Sequence, residues 1–142
     1  MQELASQLRA MQLYAHACHN VVSGPHFLDY HDFFGELYPA YEKDYDSVVE
    51  RGIGLGMFSN VTQITAQAAQ LFAKENYSLQ EAQYMFHTLL KMERAVCTMV
   101  KDYYSKSTPG TQQLLGNIAD MSEVRQYKLR QLTKPVMIIT KD

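Results

Sequence analysis

Cysteine is almost missing from this sequence: Cys18 and Cys97 are the only two in 142 residues. They stand far apart inside helical patterns, and neither has the CxxC spacing of a zinc or redox site. The expectation is two free, partly buried thiols, as in an intracellular protein. Long apolar runs are also absent. None approaches the ~20 residues of a membrane helix, so no membrane contact is expected. No basic stretch leads into an apolar one near Met1, so no signal peptide is predicted. Charge of one sign is lacking too. A formal charge of -2 and a pI near 6.2 give no bulk attraction for phosphate, and neither end carries a basic cluster. DNA binding is therefore not expected. With 46% apolar and 20% charged residues the balance is that of a folded protein, and the length suits a single domain spanning 1–142, expected to be cytoplasmic.

Glycine and proline are sparse as well, and the few present divide the chain into long helices. Leu4, Leu8, Met11, Ala15 and Cys18 recur at three- and four-residue steps and predict a helix over 3–20, ended by Ser23-Gly24-Pro25. A second helix is predicted from Phe27 to about Leu55, fading through Gly52, Gly54 and Gly56. Val61 to Phe72 fits a short extra helix. Ser78-Leu79-Gln80-Glu81 forms a capping box that opens a third long helix, with Phe86, Leu89, Glu93, Val96 and Val100 on its stripe. Thr108-Pro109 opens a fourth, carried by Leu114, Ile118, Met121, Arg125 and Leu129 until Lys134-Pro135 stops it. The apolar tail Val136–Ile139 is left unassigned. Two helix pairs joined by a connection from Gly56 to Tyr77 predict an all-α fold: a ferritin-like four-helix bundle with a long crossover containing a short extra helix.

The residues with chemistry cluster around one turn. His19 and His31 flank Gly24-Pro25, and Asp46 and Glu50 follow on the second helix at i,i+4, where both carboxylates share a face. His31 and Asp46 are fifteen residues apart on that helix, ~22 Å at ~1.5 Å per residue. No single ion can touch both in one chain. A shared site therefore requires two copies. Imidazole with carboxylate suits Fe(II), and unpaired carboxylates are costly to bury, so four such residues together argue for ligation rather than packing. Glu-x-x-His, the signature of a metal pair inside one bundle, occurs nowhere: Glu81, Glu93 and Glu123 are followed three residues on by Tyr84, Val96 and Gln126. His16, His26 and His87 read as ordinary surface, turn and helix residues. The methionines read as core filler, and the tyrosines as packing and interface groups.

The run His19-Asn20-Val21-Val22-Ser23-Gly24-Pro25-His26-Phe27, followed by His31, Phe34, Tyr38, Asp46 and Glu50-Arg51, resembles the signature of the Dps family, the mini-ferritins. The likeness is dense over residues 14–56. It implies a homo-oligomer, a dodecamer built from dimers, whose hollow shell stores ferric iron. Fe(II) would be oxidised by hydrogen peroxide or dioxygen at centres between subunits, protecting against oxidative damage. Carried over by position, His19 and His31 match the histidine ligands, and Asp46 and Glu50 the neighbour's carboxylates. The family's remaining aspartate falls on Gly35, which offers no ligand. Pro39, four residues on, crowds the Gly35 carbonyl and predicts a kink or bulge there. Such a distortion would turn Glu36, or failing that Asp32, inward, or leave room for water. The alternative from the same resemblance is a shell that binds zinc, another divalent ion or none, without ferroxidase activity.

Overall fold

The structure, a computed structural model, describes residues 1–77 and 81–134. Five helices lie among them: α1 (Gln2–Val21), α2 (Phe27–Gly54), α3 (Thr62–Ala73), α4 (Ala82–Tyr104) and α5 (Pro109–Leu132). No strand occurs among the described residues, and no helix there is long and apolar enough to cross a membrane. The architecture is the expected ferritin-like bundle, with α3 as the short helix of the crossover. Ser78–Gln80 of the capping box, Pro135 and the tail Val136–Ile139 lie outside the described residues. The last member of that box, Glu81, is the residue before α4.

Local chemistry explains where the helices stop and start. Gly24 has φ +105°, in the region that glycine alone enters without strain, and it turns the chain from α1 into α2. At the head of α5, Thr108 Oγ1 accepts a bond from the Thr111 amide at 3.3 Å, and Pro109 occupies a first-turn position whose amide would have had no partner. After α2 the chain folds back so that the Met57 amide bonds the Gly52 carbonyl at 2.8 Å. The Phe58 ring then lies on Gly52, in the space a side chain would fill. α2 itself runs as one α-helix through Pro39, and the expected bulge is not formed. Phe34, Leu37 and Tyr41, buried on either side of the proline, hold the turns in register.

α1 is the centre of the molecule, packed by α2, α3 and α4. Leu4, Leu8, Met11, Tyr14 and Cys18 are fully buried on it, and Ala5, Ala10 and Ala15 let the neighbours approach. Each buried Leu or Met contributes about 1.5–3 kcal/mol, so this row anchors the bundle. α3 docks through Ile64 and Ala68 and a 2.9 Å bond from Ser6 Oγ to Gln67 Oε1. α4 pairs with α5. α2 and α5 meet only sparsely, and a crevice runs between them. Met121, expected in the core, is 49% exposed because it stands in this crevice, where α2 does not reach it.

Candidate metal centre

The turn at Gly24 lays the last turn of α1 against the first turns of α2, which stacks the imidazoles of His19 and His31 with centroids 3.7 Å apart and planes 20° from parallel. Each ring is also tied to the other residue's backbone. His19 Nδ1 donates to the His31 carbonyl at 2.7 Å, and His31 Nδ1 donates to the His19 carbonyl at 2.7 Å. A carbonyl only accepts, so both Nδ1 atoms carry a proton, and Nε2 is the nitrogen left to face a metal. Metal-binding histidines are oriented in this way, by a bond from the other ring nitrogen. The bonds have a structural origin too: the His19 carbonyl lies in the final turn of α1, where helical partners run out, and His31 caps it.

Gly35 is one turn beyond His31. A Cβ there would stand 3.1 Å from His19 Cε1 and 3.2 Å from Nδ1, so the glycine makes room for the His19 ring. Tyr38 meets His19 edge-on at 5.5 Å and stacks on His16 at 4.2 Å, while Phe27 leans on His31 at 4.9 Å. His16 is exposed and packs on Tyr38, in line with the reading of it as a surface residue.

At about 100° per residue, Gly35 and Asp46 lie within about 60° of His31 around α2, and Asp32 and Glu50 about 100° away. Asp32, Asp46 and Glu50 are all exposed along this flank. In the single chain these carboxylates face solvent. Glu36, the preferred substitute ligand from sequence, sits about 140° round from His31. It lines the α2–α5 crevice with Arg125 and Lys128 instead. Among the described residues no three of His, Cys, Asp and Glu gather into one group, so the histidine pair stands without a carboxylate in its own chain.

A family model of the ferritin-like domain matches residues 1–135. The chain belongs to the ferritin-like domain family. No curated protein matches it. Membership sets iron storage or ferroxidase-type chemistry as the general functional class. In the core of the bundle the chain has a salt bridge that the sequence reading missed. Arg125 Nε bonds Glu93 Oε2 at 2.6 Å and Nη2 bonds Oε1 at 3.2 Å, with Glu93 fully buried. Asp44 Oδ2 is 3.7 Å from Nη2, and the Tyr41 ring lies 5.0 Å beneath the guanidinium. Burial works against the charge on Arg125, but its bonds to Glu93 and the nearby carboxylates outweigh this and raise its pKa further. Burial raises the Asp44 carboxyl above its ordinary range, and Arg125 and Lys43 only partly restrain it. The clue was present: Glu93 and Arg125 are opposite charges on two apolar stripes.

Both cysteines are free, as expected. Burial pushes the Cys18 thiol up to about 12 and leaves it unreactive.

Proposed function

We propose that the chain is a mini-ferritin of the Dps type, taking Fe(II) as its substrate at centres shared between two copies. One protomer offers the Nε2 atoms of His19 and His31; its neighbour offers the carboxylates of Asp46 and Glu50. The observation that carries this reading is the reciprocal pair of 2.7 Å bonds, which orients both imidazoles before any ion arrives. Binding then loses little side-chain freedom. The exposed flank from His31 to Glu50 supports the rest: two antiparallel α2 helices under a two-fold axis would set each histidine end against the other chain's carboxylate end. Asp32 on that flank is better placed than Glu36 to add an oxygen ligand.

Nitrogen and oxygen donors together suit Fe(II), and the carboxylates favour the ferric product. Two Fe(II) each give one electron to hydrogen peroxide, whose O–O bond breaks, and the ferric ions hydrolyse to an oxide with release of protons. Dioxygen is the other acceptor. Twelve chains enclosing that oxide complete the proposal. A second reading, the same assembly holding zinc or another divalent ion without oxidising iron, is favoured by one observation: the His19 ring fills the position at Gly35, which brings no oxygen ligand.

Stepwise addition of Fe(II) with hydrogen peroxide, followed by sizing with light scattering, tests both. The expected result is many irons per chain eluting with a twelve-chain particle, and loss of iron in His31→Ala and Asp46→Ala with the particle intact. A particle without iron selects the second reading. Oxidation unchanged in both variants refutes the site.

A further inference from the structure

The buried salt bridge contains more acceptor oxygens than its guanidinium serves. Glu93 on α4 takes both directed bonds from Arg125 on α5. Asp44 on α2 is left with a 3.7 Å charge contact, and its buried Oδ2 has no hydrogen-bond partner. The Tyr41 hydroxyl, on a fully buried side chain whose ring lies 5.0 Å from the guanidinium, has no partner in hydrogen-bond geometry either. Two carboxylates and a phenol from two helices thus surround one positive charge supplied by a third. Within the core one guanidinium faces two acidic side chains, and the exposed Lys43 at the cavity adds only a weaker positive charge beside Asp44. A divalent ion would balance the two carboxylates.

We propose that Glu93, Asp44 and Tyr41 form a cation site in the bundle core, that Arg125 is its built-in occupant, and that removing the guanidinium turns it into a site for a hard divalent ion. Carboxylate and phenol donors are all oxygen, the set that manganese, magnesium and calcium prefer. An entry route exists. A cavity of about 410 Å³ in the α2–α5 crevice is lined by both Asp44 and Arg125, with Ala40, Ser47, Ile118 and Met121 around them. A second, of about 150 Å³, reaches Arg125 from the Glu36 side. Water can follow the lost side chain inward and complete an ion's coordination. Arg125 thus keeps the native core free of metal. This inference does not depend on the interface centre, which uses none of these residues.

The test is manganese(II) binding to the full-length protein, followed by loss of the free-ion paramagnetic resonance signal. Arg125→Ala is expected to bind about one ion per chain more than the native protein, the capacity of a single oxygen-lined site. Adding Glu93→Gln to Arg125→Ala is expected to abolish the extra ion and leave any interface binding unchanged. The unfolding temperature of Arg125→Ala should rise with manganese while the native value moves less. If Arg125→Ala does not fold, Arg125→Gln, which keeps a donor to Glu93, is expected to bind the extra ion more weakly. A folded Arg125→Ala, or failing it a folded Arg125→Gln, with native stoichiometry overturns the proposal. So does an extra ion that survives Glu93→Gln.

Discussion

Replacing Gly35 by alanine sets two magnitudes against each other. A glycine-to-alanine change in a helix interior normally stabilises by about 0.5–1 kcal/mol, because the glycine backbone loses more freedom on folding. Here the new methyl carbon would stand 3.1 Å from His19 Cε1, whereas carbon atoms rest about 3.5–4.0 Å apart. The ring must retreat by several tenths of an ångström. It is held by the 2.7 Å bond to the His31 carbonyl and by the stack on His31, and retreat weakens both. Overpacking of this kind costs about 1–3 kcal/mol. Gly35→Ala is therefore expected to destabilise by about 1 kcal/mol, against the usual sign for its type. In a His19→Ala background the obstruction is gone, and the same change should stabilise by about 0.5–1 kcal/mol. Urea unfolding followed by helical circular dichroism, at one fixed chain concentration, measures all four corners of the cycle. The coupling should be about 1–3 kcal/mol. If Gly35→Ala stabilises equally with and without the His19 ring, that ring does not explain the glycine.

Other changes have effects that follow from single contacts. Gly52→Ala would place a methyl group in the Phe58 ring and should cost about 1–3 kcal/mol in urea unfolding, with Phe58→Ala relieving part of the loss. Glu93→Gln takes away the directed charge partner of Arg125, leaves it only the 3.7 Å contact with Asp44, and should cost about 3 kcal/mol, whereas Glu93→Leu with Arg125→Met, which removes both charges of the pair, should cost less. Asp44 has its pKa raised in the folded protein. Folding therefore takes up a proton in the window just above the ordinary carboxylate value, and stability is lost as pH rises through it. Asp44→Asn should be more stable than the native protein at neutral pH, and the two unfolding midpoints should converge below pH ~4, where the acid is protonated in both states.

The helices were legible because their punctuation is local. Gly24-Pro25, Gly56 and Thr108-Pro109 act on their immediate neighbours, and the apolar repeat of α1 needs only the chain itself to be seen. What could not be seen was anything set by the spacing between helices. Met121 has the periodicity of a core residue, yet it is exposed because α2 and α5 stand apart. Glu93 and Arg125 were visible as stripe members, but their pairing needed α4 and α5 in register. At the histidine pair, residue type and spacing gave the juxtaposition of His19 and His31. The exchange of bonds between each ring and the other's backbone depends on the angle at which the two helices leave the turn, and the fit of the His19 ring over Gly35 depends on the same angle. Pro39 invited a kink or bulge on local grounds, and of the two the bulge is not formed, with the flanking turns buried.

The crossed histidine bonds give this pair of side chains a structural duty beside the iron binding proposed for them. They close the hairpin between α1 and α2 whether or not an ion ever reaches them, so a descendant that gave up iron would still need them to hold that corner. Asp46 and Glu50 have no such second employment: they are exposed and make no hydrogen bond or ion pair among the described residues. Among relatives of this chain, loss of the two carboxylates with both histidines kept would be the trace of a lineage that abandoned metal and kept the fold.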